Sequence, residues 1–248
     1  MKTQNKNIGY FLLILIGVLG LLLLIFLEPI KQSQAYHDFS DNQAFSCVSN
    51  FWNVMSNIPF LIIGVWGMLK LDSIAKNKLH YFILFLGIAL ISIGSGYYHL
   101  NPNDSTLIWD RLPMTIALMS LFSIVISEFV SYSKGKLILF PTLTLGVFSV
   151  LYWSYSGDLK LYILVQSLPI LAMPVILVFF NSKYTLTYGY WLLLITYLVA
   201  KLFEYYDNQI YEMIGTLGGH PLKHFMASVG LAILLYTYIK RDNVSLNN

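Results

Sequence analysis

The chain has 248 residues, 57% of them hydrophobic and 11% charged, with a mean hydropathy of +0.66. A soluble domain carries roughly 25% charged residues, so this chain cannot cover itself with a polar surface and reads as an integral membrane protein of one folding unit. A net charge of +3 from 15 basic and 12 acidic residues is too diffuse for a nucleic-acid surface, and the single Cys47 excludes an internal disulfide.

A bilayer core takes roughly 20 apolar residues as helix. Runs of that kind lie near 8–28, 51–70, 80–99, 111–131, 136–155, 159–180, 187–205 and 220–239. Alternating β-barrel patterning is absent, so the expected fold is all-α, a polytopic transmembrane helical bundle. The first run follows Lys2 and Lys6 and ends at Glu28-Pro29. It is long for a cleaved signal peptide and reads as an uncleaved helix or signal anchor within residues 1–35. The next seven spans form the functional unit over 36–240, and 241–248 is a short tail. Trp52, Trp109 and Trp153 fall near span ends, where indole rings favour the membrane interface.

The chemistry-bearing residues follow in chain order. The loop after the first run holds His37 and several acidic residues. His80 sits beside Lys78 at the start of a span and reads as a solvated loop residue. The stretch GSGYYHLNPNDSTLIWDRLPM carries Ser95, His99 and Asp110, and GGHPLKHFMASVG carries His220 and His224. Ser95 lies one turn before His99 on the same helical face, and His220 and His224 are likewise one turn apart. Pro221 suits the start of a helix, where its missing N–H would be unpaired anyway. Gly94 and Gly96 would admit a neighbouring helix. Glu204, Asp207 and Glu212 read as an exposed loop before His220, and Asp110-Arg111 reads as the start of its span.

Lys and Arg in the short loops set the orientation. With the amino terminus inside, Lys2, Lys6, Lys70, Lys76, Lys78, Lys134, Lys136, Lys183, Lys240 and Arg241 fall inside, and Lys31, Arg111, Lys160, Lys201 and Lys223 outside. Both termini are therefore expected in the cytoplasm, and compact loops with short tails lean toward a bacterial inner membrane. Counting crossings then places His99, Asp110, His220 and His224 at one depth on the outer side, although they are far apart in the chain.

Ionisable groups within membrane helices are costly and by default functional. Three neutral imidazoles with one open position suit a catalytic zinc, which lowers the pKa of its water to roughly 7. Asp110 is the candidate general base, and Ser95 could orient it or hydrogen-bond an oxyanion. These roles describe hydrolysis of an amide or ester, and a site inside a helix bundle points to a membrane lipid as substrate. The rival reading is a receptor-like or structural membrane protein that keeps a non-catalytic zinc to brace its helices. Paired histidines holding haem or carrying ions rank below both.

Ser95-x3-His99, Asp110 eleven residues further on, Pro113-Met114 and His220-x3-His224, together with FWNVMSN from Phe51 to Asn57, resemble the alkaline ceramidase family. That family lies within the seven-span hydrolases that include the adiponectin-receptor type, and the resemblance covers roughly residues 36–240. It implies zinc held by His99, His220 and His224, water activation by Asp110, a supporting role for Ser95, and cleavage of ceramide or a related N-acyl lipid to a long-chain base and a fatty acid. It also implies a calcium site in the outer loop, with Asp38, Phe39, Asp41 and Gln43 as ligands and Asn50 where the family has a glutamate, whereas the residues alone read slightly better as a helix cap and a solvated acidic loop. The first run lies outside the seven-span pattern.

Overall fold

A computed structural model describes residues 5–75 and 78–244. Lys2 and Lys76, counted above on the inner side, lie outside the described residues. The described residues fold into eight principal helices. These are α1 (Lys6–Phe26), α2 (Phe51–Leu69, interrupted by a turn at Ser56-Asn57), α3 (Leu79–Leu100), α4 (Asp104–Val125), α5 (Tyr132–Ser156), α6 (Lys160–Phe179), α7 (Tyr188–Tyr205) and α8 (Gly219–Lys240). All but α7 are long and apolar enough to cross a membrane, and the protein is an integral membrane protein. Helix α7 has 18 residues and falls short of that apolarity because Lys201 and Glu204 lie on it.

Helix α3 packs between α2 and α4, α4 continues to α5, α7 lies along α8, and α8 closes on α2. Helix α1 packs on α6, outside the ring. One apolar cluster, including Phe85, Ile88, Ile124, Met173, Ile176 and Tyr238, fills the middle and one end of the bundle. A second, with Phe39, Tyr98, Leu107, Val150, Trp153 and Tyr162, fills the other end. Trp52 and Trp109 are exposed, as interfacial indoles should be, whereas Trp153 is buried.

Several local expectations change. Helix α4 starts at Asp104, not at Asp110-Arg111, because Asn103 caps it. Its side chain accepts from the N–H groups of Ser105 and Thr106 while Thr106 accepts from the Asn103 N–H. Asp110 therefore sits nearly two turns inside the helix. His80 is buried rather than solvated: its Nδ1 lies 3.1 Å from the Ser123 hydroxyl, which donates to the Gly135 carbonyl. The segment after α8 is not a free tail at its start. The Arg241 side chain is buried, and the Thr185 N–H donates to the Asp242 carbonyl at 3.0 Å.

Pro113 has no N–H to give the Trp109 carbonyl one turn back. Gly94 of α3 faces that carbonyl so closely that an added Cβ would collide with it. The two helices thus approach where α4 is weakest, next to Ser95 and Asp110. Gly96 has open space around it. Gly94→Ala should force α3 and α4 apart, at a cost of about 1–3 kcal/mol with a fall in activity. Gly96→Ala should be neutral or slightly stabilising. Thermal melting of both variants checks this.

Candidate metal centre

His99 comes from the last turn of α3, and His220 and His224 from the first two turns of α8. Their rings lie 4.9, 5.0 and 5.2 Å apart, centre to centre. One nitrogen from each lies within 4.8 Å of the others. All three residues are buried, and Nδ1 of His99 and Nε2 of His220 have no hydrogen-bond partner. Buried polar atoms are nearly always partnered, so two orphaned imidazole nitrogens facing a third histidine fit the donor set of a metal ion. Among the described residues, no other group of three or more His, Cys, Asp or Glu converges in this way.

Local structure holds the rings in place. Helix α8 begins at Gly219, whose Cβ position is taken by the Phe203 carbonyl of α7, so the two helices meet at the start of α8. Pro221 falls in the first turn, where N–H groups lack partners within the helix. The His220 N–H instead donates to Asp207 Oδ1 at 2.7 Å, and Asp207 Oδ2 accepts from the Ser40 N–H at 3.0 Å. Asp207 thereby ties the loop before α2 to the helix that carries His220 and His224, which a reading of it as exposed loop did not anticipate.

Sequence reasoning also missed the polar face of FWNVMSN. Ser56 Oγ lies 2.8 Å from Nδ1 of His224, fixing the ring as a neighbouring partner fixes a metal ligand. Asn53 donates to the Asp41 carbonyl at 2.7 Å, and Asn57 to the Asn53 carbonyl at 2.7 Å. All three are buried. The available signal was three polar residues inside an apolar span. Asn50, in left-handed backbone at φ 48°, donates to the His99 carbonyl at 2.8 Å and so satisfies one of the open carbonyls at the end of α3. The Phe39 ring lies 4.7 Å from His99 and 4.3 Å from His220, covering the triad from the loop side.

Ser95, His99, Asp110, His220 and His224 all border one cavity of about 400 Å³. Ser95 and Asp110 stand close together on its wall. Away from this polar end the wall is apolar, with Phe60, Leu84, Ile88, Leu121 and Met173. Helices α6 and α7 both line the cavity yet make few contacts with each other. Lys223 and Lys201 also border it, each 2.5 Å from a different oxygen of Glu204. Glu204 is thus an ion-pair partner at the site, a second change from the exposed loop expected.

His37 stands apart from the triad, between the Tyr98 hydroxyl at 2.9 Å and Asp104 at 3.0 Å. The calcium set gains no support. Asp38 is exposed and Asp41 fully buried, and among the described residues neither belongs to a converging group of three His, Cys, Asp or Glu. The Gln43 amide donates to Tyr211 at 2.9 Å. Burial pushes the Asp41 carboxyl up from its ordinary range, with the nearby Asp207 charge acting in the same direction.

The ceramidase family model matches residues 32–239. A comparison with curated proteins finds no match.

Proposed function

The chain belongs to the ceramidase family, and on that premise we propose that it is a zinc-dependent intramembrane hydrolase. It cleaves the amide of ceramide or a related N-acyl lipid to an amine-bearing base and a fatty acid. The observation that carries this reading is the buried histidine triad, two of its nitrogens orphaned, on the wall of an apolar cavity that also holds an Asp–Ser pair. A zinc ion suits the neutral nitrogen donors and, when bound, supplies acidity to a water and polarises the amide carbonyl.

The chain's own residues do the rest. Asp110 takes the proton from the attacking water and returns it to the leaving amine. Ser95, beside Asp110 on the cavity wall, holds that carboxylate toward the reacting centre. Ser56 orients His224, and Asp207 anchors the backbone of His220. The loosely joined pair α6 and α7 supports entry of an acyl chain from the bilayer, and the apolar wall accommodates it.

Residues 36–240 form the hydrolase unit in this proposal, with 1–35 as a membrane anchor, which agrees with the packing of α1 outside the ring. The bias of Lys and Arg between loops supports an active site on the extracytoplasmic side of a bacterial inner membrane. The test is purified protein, metal-stripped and then reloaded, assayed with labelled ceramides and other N-acyl lipids. Release of fatty acid that returns with one equivalent of zinc is expected. A fully zinc-loaded protein inert toward every amide and ester lipid overturns the reading.

A further inference from the structure

Arg111 follows Asp110 on α4 and borders the same cavity. It is 5% exposed. Its guanidinium carbon lies 4.1 Å from the centre of the Trp153 ring and 4.5 Å from that of Tyr162, with Tyr36 at 5.9 Å. Nη2 donates to Gln32 Oε1 at 2.6 Å. Nη1 is buried and has no partner, and among the described residues no carboxylate forms an ion pair with this arginine.

A buried cation without an acidic partner is costly. The aromatic faces offset part of that cost, but stacking leaves the in-plane N–H groups of Nη1 unused. The other two cations on the cavity wall differ, since Lys201 and Lys223 both pair with Glu204. A guanidinium held flat by rings, with a free nitrogen beside a lipid-sized cavity, is built to receive a carboxylate through its planar fork.

We propose that Arg111 is the carboxylate anchor of this cavity. The inference rests on the hydrolase reading and narrows its substrate class. Arg111 and Asp110 line the same cavity of about 400 Å³, so an anion held by Arg111 lies in the chamber that holds the amide Asp110 serves. Two lipids present a carboxylate there: an N-acyl amino acid, whose carboxylate is two bonds from the amide nitrogen, and the fatty acid released by the reaction.

N-palmitoylglycine and N-palmitoylethanolamine differ only by a carboxylate in place of a hydroxymethyl group, and they form the test pair. If the headgroup carboxylate is the ligand, the wild type favours N-palmitoylglycine at least tenfold in kcat/KM. Arg111→Gln then brings that ratio close to one, and Arg111→Lys, a charge without the fork, keeps only part of it. If the ligand is the product, the ratio starts near one, while palmitate inhibits hydrolysis of the neutral substrate at least tenfold more strongly than hexadecanol does. That gap closes in Arg111→Gln.

A wild type with neither preference overturns the proposal without recourse to a variant, and so does an Arg111→Gln protein of unchanged melting temperature that retains them. Equilibrium binding of labelled palmitate and N-palmitoylglycine to wild type and Arg111→Gln needs no turnover. At least tenfold weaker binding of one of them to the variant therefore supports the anchor even if no lipid is hydrolysed, and equal binding of both counts against it.

Discussion

Asp110→Asn is expected to cut amide-lipid hydrolysis by about 10²–10⁴-fold, the usual contribution of a positioned general base, while the protein stays folded and binds one equivalent of zinc. The substitution keeps the shape of the side chain, so the close approach of α3 and α4 at Gly94 survives. It removes the group that takes a proton. None of the three histidines hydrogen-bonds Asp110, so their orientation does not depend on it. Metal content, melting temperature and fatty-acid release on the same preparation give three separate readings. Retained zinc with lost turnover supports the hydrolase. Activity within a few-fold of wild type would remove Asp110 from the mechanism. Parallel loss of zinc and fold would instead favour a metal that only braces the helices. His220→Ala, which removes one of three ligands, should lose both zinc and turnover and so marks the contrast.

Much of the site was readable from the chain because membrane spans constrain it in one dimension. Runs near 20 residues fix the number of crossings, and the number of crossings brings His99, near the end of one span, to the depth of His220 and His224, near the start of another. The helices that carry them need only meet, and they do. What could not be read depends on contacts between elements. His80 lies beside a lysine and looks solvated in isolation, yet Ser123 of α4, itself bonded to the Gly135 carbonyl of α5, partners its ring. The start of α4 was misplaced because Asn103 and Thr106 form a capping box within a polar stretch that carries no hydrophobic signal. Glu204 and Asp207 looked like loop acids, because nothing local reveals that Lys223 and the His220 N–H would take them as partners. The aromatic stack around Arg111 draws on Tyr36, Trp153 and Tyr162, from three separate segments, and so leaves no pattern in any one of them.

The largest stability loss is expected at the other end of the bundle, from Arg241→Ala. Arg241 Nη1 lies 2.7 Å from Glu128 Oε1, and both side chains are almost fully buried, at 3% and 2% exposure. Tyr81 donates to Glu128 Oε1 at 2.5 Å and Tyr190 to Oε2 at 2.9 Å, and the guanidinium carbon lies 4.1 Å from the centre of the Tyr184 ring and 4.3 Å from that of Tyr238. Removing the arginine strands a buried carboxylate, which costs about 3–5 kcal/mol. Replacing both members, with Glu128→Gln and Arg241→Met together, should recover most of that loss, since a buried pair gives little beyond a well-packed neutral substitute. Melting curves of the single and double variants in one detergent test this, and a double variant no more stable than Arg241→Ala would contradict it. Catalysis should be spared at temperatures well below melting. Tyr81 and His99 are eighteen residues apart on α3, roughly 27 Å at 1.5 Å per residue. The two buried ionic clusters differ in a way that explains this division. Both carboxylate oxygens of Glu128 are partnered within the protein, and although Nε of Arg241 has no partner, neither residue borders the cavity. At the opposite end, the imidazole nitrogens of His99 and His220 and Nη1 of Arg111 are left open on the wall of one cavity, and open polar groups around a lipid-sized space mark where an ion and a substrate bind.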